Sequence, residues 1–202
     1  LGARLRKAEL LVDMGNAEVL YAMGRIDRLE GRPEEARRRF QQALAQRPGH
    51  PDLLRALLEL DQRGGRVAES RARIEAALAE KPEDAQLVHL SGLAALLEGD
   101  GRTAEAQLRR AIDLDPNQLR FYETLARYFQ LSGRGDEMVE VYRKAVAARP
   151  DSAPLHLIMG TLHELRGERD QAVESYERAI QLDPELAPAK NNLAYLLAES
   201  GQ

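Results

Sequence analysis

The sequence predicts an all-α solenoid of antiparallel helix pairs, and three observations predict it. The chain repeats itself: AIDLDPNQ at Ala111–Gln118 returns as AIQLDPEL at Ala179–Leu186, with AVAARPDS at Ala145–Ser152 midway between them. ALAEKPED at Ala77–Asp84 and ALAQRPGH at Ala43–His50 continue the series upstream, always 34 residues apart. Three columns keep that step: proline at Pro48, Pro82, Pro116, Pro150 and Pro184; glycine at Gly31, Gly65, Gly99, Gly133, Gly167 and Gly201; alanine at Ala43, Ala77, Ala111, Ala145 and Ala179. Within a period the apolar residues keep helical spacing, as a stack of small supersecondary units requires.

Residues 1–16 open the chain, and ARLRKAELLVDMGN (Ala3–Asn16) reads as the second helix of a preceding partial unit. Five full blocks follow: Ala17–His50, Pro51–Asp84, Ala85–Gln118, Leu119–Ser152 and Ala153–Leu186. Residues 187–202 read as the first helix of a sixth block that stops at its glycine. The fourth block shows how each is built. Tyr122, Leu125, Ala126 and Phe129 form an i, i+3, i+4, i+7 stripe. Gly133 ends that helix, because glycine takes positive φ without a side-chain penalty. Met138, Tyr142 and Ala145 mark a second stripe, and Pro150 lies just past its end. Asp151 or Ser152 then caps the next helix, with Pro154 in its first turn. Each block is a helix, a tight turn and a second helix, and the alanine and glycine columns are expected where two helices approach closely.

This length and pattern resemble the tetratricopeptide repeat, whose signature is W-x2-L-G-x2-Y, A-x3-F and then P. The tryptophan place holds Leu20, Leu54, Val88, Tyr122 and His156, and the leucine–glycine place Met23-Gly24, Leu57-Leu58, Ser91-Gly92, Leu125-Ala126 and Met159-Gly160. Ala36, Ser70, Ala104, Met138 and Ala172 fill the next alanine place; Phe40, Ile74, Leu108, Tyr142 and Tyr176 fill the phenylalanine place. The tyrosine place departs most, with Asp27, Asp61, Ala95, Phe129 and His163. Its two aspartates are expected to reach solvent or a nearby arginine. The resemblance implies helix pairs stacked into a right-handed superhelix, with the five blocks as five repeats and each unit contacting mainly its neighbours.

Composition narrows the function. With 44% hydrophobic and 31% charged residues, the chain suits a folded protein rather than a disordered one. Net charge is −4 without a long run of one sign, which argues against nucleic acid. No stretch approaches the ~20 apolar residues of a membrane-spanning helix. Cysteine is absent, so disulfides, thiolate chemistry and cysteine-based metal sites are excluded. That absence fits bacterial cytoplasm and periplasm equally. Bacterial origin is itself read from the abundant alanine and from having only four lysines among 29 basic residues. A chain beginning at Leu1 is expected to be an excised fragment or a processed form.

No catalytic constellation appears. His156 and His163 lie seven apart, not at the i, i+4 spacing of a zinc helix, and both occupy core columns. GDGR (Gly99–Arg102) and SGRG (Ser132–Gly135), with the Arg134-Gly135-Asp136 tripeptide, fall at the inter-helix glycine where the fold already needs them. No serine has a histidine partner at a readable spacing. The sequence therefore predicts neither enzyme, cofactor nor metal, and what remains is a surface.

In the resembled family, first helices line a concave face, and three rows carry over. They give Tyr21, Arg55, His89, Glu123, Leu157 and Asn191; then Arg25, Glu59, Leu93, Arg127, Thr161 and Tyr195; then Arg28, Gln62, Leu96, Gln130, Glu164 and Ala198. These rows vary while the core columns stay fixed, as a graded binding surface needs. The expected partner is a protein or peptide segment. An apolar anchor would meet Leu93 and Leu96, with Leu157 further on, and acidic neighbours would meet Arg120 and Arg127 beside Glu123. A carboxylate-terminus clamp of the kind some relatives use is not expected, because these rows hold no lysine and Asn191 and Asn192 lack the other partners. Leu193, Ala194 and Leu197, lacking a following helix, predict an adhesive C-terminal edge. A self-assembling module using its open ends, and an adaptor region of a larger bacterial envelope, secretion or polysaccharide-assembly protein, are the alternatives.

Overall fold

The computed structural model describes residues 16–199, which form helices and turns with no strand. The helices are α1 (Ala17–Leu29), α2 (Pro33–Gln46), α3 (Pro51–Arg63), α4 (Val67–Glu80), α5 (Ala85–Leu97) and α6 (Gly101–Leu114), then α7 (Leu119–Leu131), α8 (Gly135–Ala148), α9 (Ala153–Leu165), α10 (Arg169–Leu182) and α11 (Ala187–Glu199). The expected helix before Asn16 and the terminal Gly201 lie outside the described residues. The chain forms two compact units, α1–α6 ending at Leu114 and α7–α11 following Asp115. Within each, every helix packs against the next in sequence.

Local chemistry sets the starts. The Asn16 side chain accepts from the Glu18 N–H at 2.9 Å, and Asp84 accepts from Gln86 and Leu87 at 2.9 and 3.1 Å. Pro33, Pro51 and Pro154 occupy first turns, where a missing N–H costs no helical bond. Ser152 does precede α9, but its hydroxyl makes no cap bond.

The ends follow one rule. In every helix pair from α1–α2 to α9–α10, the N–H after the turn glycine donates to the carbonyl five residues back. The pairs are Arg32 to Asp27, Arg66 to Asp61, Asp100 to Ala95, Arg134 to Phe129 and Glu168 to His163, at 2.8–2.9 Å. The intervening glycines have φ between 69° and 79°, the left-handed region. A Cβ added there would meet nothing within 4 Å, so this glycine column is a conformational need and not the helix contact expected of it. Close approach occurs at other glycines: a Cβ on Gly24 would lie 2.5 Å from the Phe40 ring, and one on Gly160 2.5 Å from that of Tyr176. The alanine column does mark close packing, from Ala43 to Ala179, all buried.

The two aspartates at the tyrosine place do not reach solvent. Asp27 is 2% exposed and accepts from Arg39 Nε at 2.6 Å and Arg32 Nε at 3.0 Å. Asp61 is fully buried, accepting from Arg37 Nε and from the Ser70 hydroxyl, each at 2.7 Å, with Arg66 and Arg73 close by. Arginine supplies the compensation that a buried carboxylate demands.

Candidate functional site

In the first unit, α1, α3 and α5 carry the inward-row residues. Half-buried Tyr21 packs tilted on Phe40, ring centroids 5.7 Å apart, and exposed Arg25 sits over the Tyr21 ring at 5.9 Å. Arg28 on α1 pairs with Glu59 on α3. Arg55 is half-buried and lies 3.7 Å from Asp52. Its Nε and Nη2 are shielded from solvent without a hydrogen-bond partner among the described residues. Leu93 and Leu96 are half-buried, and Gln62 is exposed. His89 differs from expectation: at 3% exposure it belongs to the packed interior, not to a surface.

In the second unit, α7 presents Glu123, Arg127 and Gln130 to solvent, while the Arg120 guanidinium stays over the Phe121 ring at 5.6 Å. On α9, Leu157, Thr161 and Glu164 are half-buried; on α11, Asn191 and Tyr195 are exposed. The Tyr176 hydroxyl of α10 donates to Glu164 Oε2 at 2.6 Å and lies 3.3 Å from Thr161 Oγ1. Asn192 Nδ2 donates to that same hydroxyl at 3.3 Å. Burial, and then the Glu164 carboxylate, raise the Tyr176 pKa above its ordinary value, so the phenol stays neutral. Burial and Glu123 act likewise on Tyr142. The repeat pattern places Tyr176 in a core column alone; the signal of a second role lies in its hydroxyl, which Phe40 lacks in the same column.

The central site expected from sequence draws Leu93 and Leu96 from the first unit and Arg120, Glu123, Arg127 and Leu157 from the second. The C-terminal edge is also less open than expected. Leu193 and Leu197 are half-buried, Leu193 packing beside Ala172, Tyr176 and Leu196, while Ala194 and Tyr195 are exposed.

Two clefts lie outside the sequence expectation, and no inward-row residue lines either. One, of about 530 Å³, lies between α2 and α4 and is lined by Leu44, Ala45, Leu54, Arg73, Ala76 and Glu80 among others. The other, of about 570 Å³, is bounded by α8, α9 and α10 and includes Arg143, His156, Met159, His163, Glu174 and Arg178. His163 is held by Glu168 Oε2, 2.5 Å from its Nδ1, and His156 Nε2 lies 3.0 Å from the Pro150 carbonyl oxygen. Among the described residues no three His, Asp or Glu side chains gather as a metal would need.

Tetratricopeptide-repeat family models match residues 27–93, 89–153 and 153–186. The chain belongs to the tetratricopeptide-repeat family. Solved structures agree on the fold. A MamA protein structure is 21% identical, covering 85% of this chain and 93% of that one with a TM-score of 0.57. A thermophilic TPR protein of Thermus thermophilus, TTC0263, is 19% identical over 90% of this chain and 99% of its own, also at 0.57. YrrB, described as a TPR protein with an unusual peptide-binding site, is 18% identical over 88% and 91%, at 0.51. A search of curated proteins by sequence returned no match. Tetratricopeptide repeats generally serve as non-catalytic protein-interaction scaffolds, and no helix among the described residues is long and apolar enough to cross a membrane.

Proposed function

We propose that this tetratricopeptide-repeat protein is a non-catalytic scaffold that binds a peptide or protein segment along the inward rows of its first helices. The repeat division proposed with it is 17–50, 51–84, 85–118, 119–152 and 153–186, with a partial unit at each end. The observation that carries this reading is the contrast between columns. Positions that pack helix on helix, such as Phe40, Ile74, Leu108 and Tyr176, are buried, while Arg25, Glu59, Arg127, Gln130 and Tyr195 of the inward rows are exposed, and those rows change chemistry at each step. Half-buried Arg55, 3.7 Å from Asp52, adds a cation to the same rows. The peptide-binding site attributed to YrrB is consistent with the same use of the fold.

Self-association through the C-terminal edge is the second reading, favoured by the exposure of Ala194 and Tyr195. One experiment separates the two. Binding of partner segments is measured for the wild type, for Leu93→Glu with Leu96→Glu, and for Arg127→Glu, alongside mass as a function of concentration. Groove binding predicts loss in both variants with helicity and melting little changed, and a mass independent of concentration. Binding that survives both variants, with mass rising on concentration, would move self-assembly ahead.

A further inference from the structure

Resting on that reading of the inward rows, we propose that the end of the second unit holds a subsite for a basic side chain, an arginine before a lysine, of the docked segment. The basis is a hydrogen-bonded chain across three helices: Asn192 of α11 donates to the Tyr176 hydroxyl of α10, which donates to Glu164 of α9. Each bond fixes what is left over. One N–H of the Asn192 amide is committed to Tyr176, and Asn192 keeps Oδ1 as an acceptor beside its second N–H. The phenol donates to Glu164 Oε2, which leaves Glu164 Oε1 as an acceptor. Both groups bond to one oxygen atom, so they are neighbours.

This carboxylate differs from those that bridge neighbouring helices by ion pairs. Glu59, Glu69 and Glu98 each meet an arginine: Arg28, Arg37 and Arg71. Glu164 meets no arginine or lysine among the described residues, although it is half-buried and so partly desolvated. The inward rows of α9 and α11 hold Leu157, Thr161, Glu164, Asn191, Tyr195 and Ala198, in which Glu164 is the one charge. Tyr195, 61% exposed, stands one turn along α11 from Asn192. A planar guanidinium has donors enough for Glu164 Oε1 and Asn192 Oδ1 together, and a face that lies well on a tyrosine ring. A carboxylate in the same place would be repelled by that of Glu164. An apolar side chain would bury Glu164 without compensation.

The test selects a phage-displayed library of randomised peptides against the whole chain, then measures the recovered peptides by fluorescence anisotropy on wild type and variants. Recovered sequences should be enriched in arginine or lysine, and replacing that residue by glutamine should weaken binding about tenfold, the gap narrowing with added salt. Glu164→Gln should abolish the preference, so that the basic and glutamine peptides bind alike, while helicity and melting stay those of the wild type because the amide oxygen still accepts from Tyr176. Tyr195→Ala should weaken the arginine peptide more than the lysine one. Binders that show no basic preference, or keep it in Glu164→Gln, overturn the subsite; if the same binders are lost in Arg127→Glu, the groove reading stands without it. Recovery of no inward-row binder overturns both.

Discussion

At the residue scale, Gly160 and Tyr176 show how one position sets another's function. Without a Cβ at Gly160 the Tyr176 ring lies against α9, and its hydroxyl reaches Glu164. Elsewhere the same two columns trade size: Gly24 faces Phe40 and Gly92 faces Leu108, whereas Ala126 accompanies Tyr142 and Leu58 accompanies Ile74. A Cβ 2.5 Å from ring carbons cannot be relieved by the far end of a flexible chain, so the ring must move. Gly160→Ala should therefore cost about 1–3 kcal/mol, as overpacking does, and displace the hydroxyl from Glu164. Adding Tyr176→Leu, which removes the ring that the new Cβ meets, should recover part of it. Urea unfolding of the wild type and the two variants checks this; a neutral Gly160→Ala would show that the new Cβ is accommodated without overpacking.

At the element scale, the helix–turn–helix unit is tied twice at one pair of residues. The backbone bond from the residue after glycine to the carbonyl five back occurs in all five turns, and in four of them the same two side chains also meet. Arg32 meets Asp27, Arg66 meets Asp61, the Arg134 guanidinium lies 4.4 Å from the Phe129 ring, and Glu168 meets His163. The period, the turns and the helix faces were legible in the sequence because each is a local rule repeated in register. These pairs were not, because residues five apart on a helix face away from each other, and only the glycine turn brings them back together. For the same reason the sequence left Asp27 and Asp61 between solvent and a nearby arginine, their arginines lying in other helices or beyond the turn. The Tyr176 chain was illegible because it joins three helices through one hydroxyl. If the paired turn is a unit, its members are interchangeable only together. Glu168→Arg alone should destabilise the protein, setting a like charge beside Arg166, which now lies 3.8 Å from Glu168. Combined with His163→Phe it reproduces the Phe129–Arg134 turn and should recover stability beyond the sum of the single changes. A double-mutant cycle in urea reads the coupling, and additivity within about 0.5 kcal/mol would refute it.

At the scale of the whole molecule, the two units differ in how they hold polar groups inside. The first unit buries aspartates among arginines; the second has Phe129 and His163 in the same column, and its chain of hydroxyl, amide and carboxylate. Arginine keeps its charge at any ordinary pH, so acid acts on the carboxylate partners. Asp100, at the start of α6 in the first unit, is held below its usual value by hydrogen bonds from Thr103, the hydroxyl first and the backbone N–H second. Glu168, in the second, is held below its usual value by its bond with His163, with Arg166 adding to it. A carboxylate whose folded pKa is depressed binds protons more readily once unfolded. Its stabilisation is thus complete above the unfolded values of 3.8 for Asp100 and 4.5 for Glu168, and is lost as pH falls through the lower folded values. Melting temperature should accordingly change little with these two groups above about pH 5 and fall below it. Asp100→Asn should flatten the acid limb for amides of the first unit and Glu168→Gln for those of the second, each read by hydrogen exchange at acid pH. Equal flattening of both units by either variant would show that the loss is global electrostatic repulsion rather than the two local bonds named here.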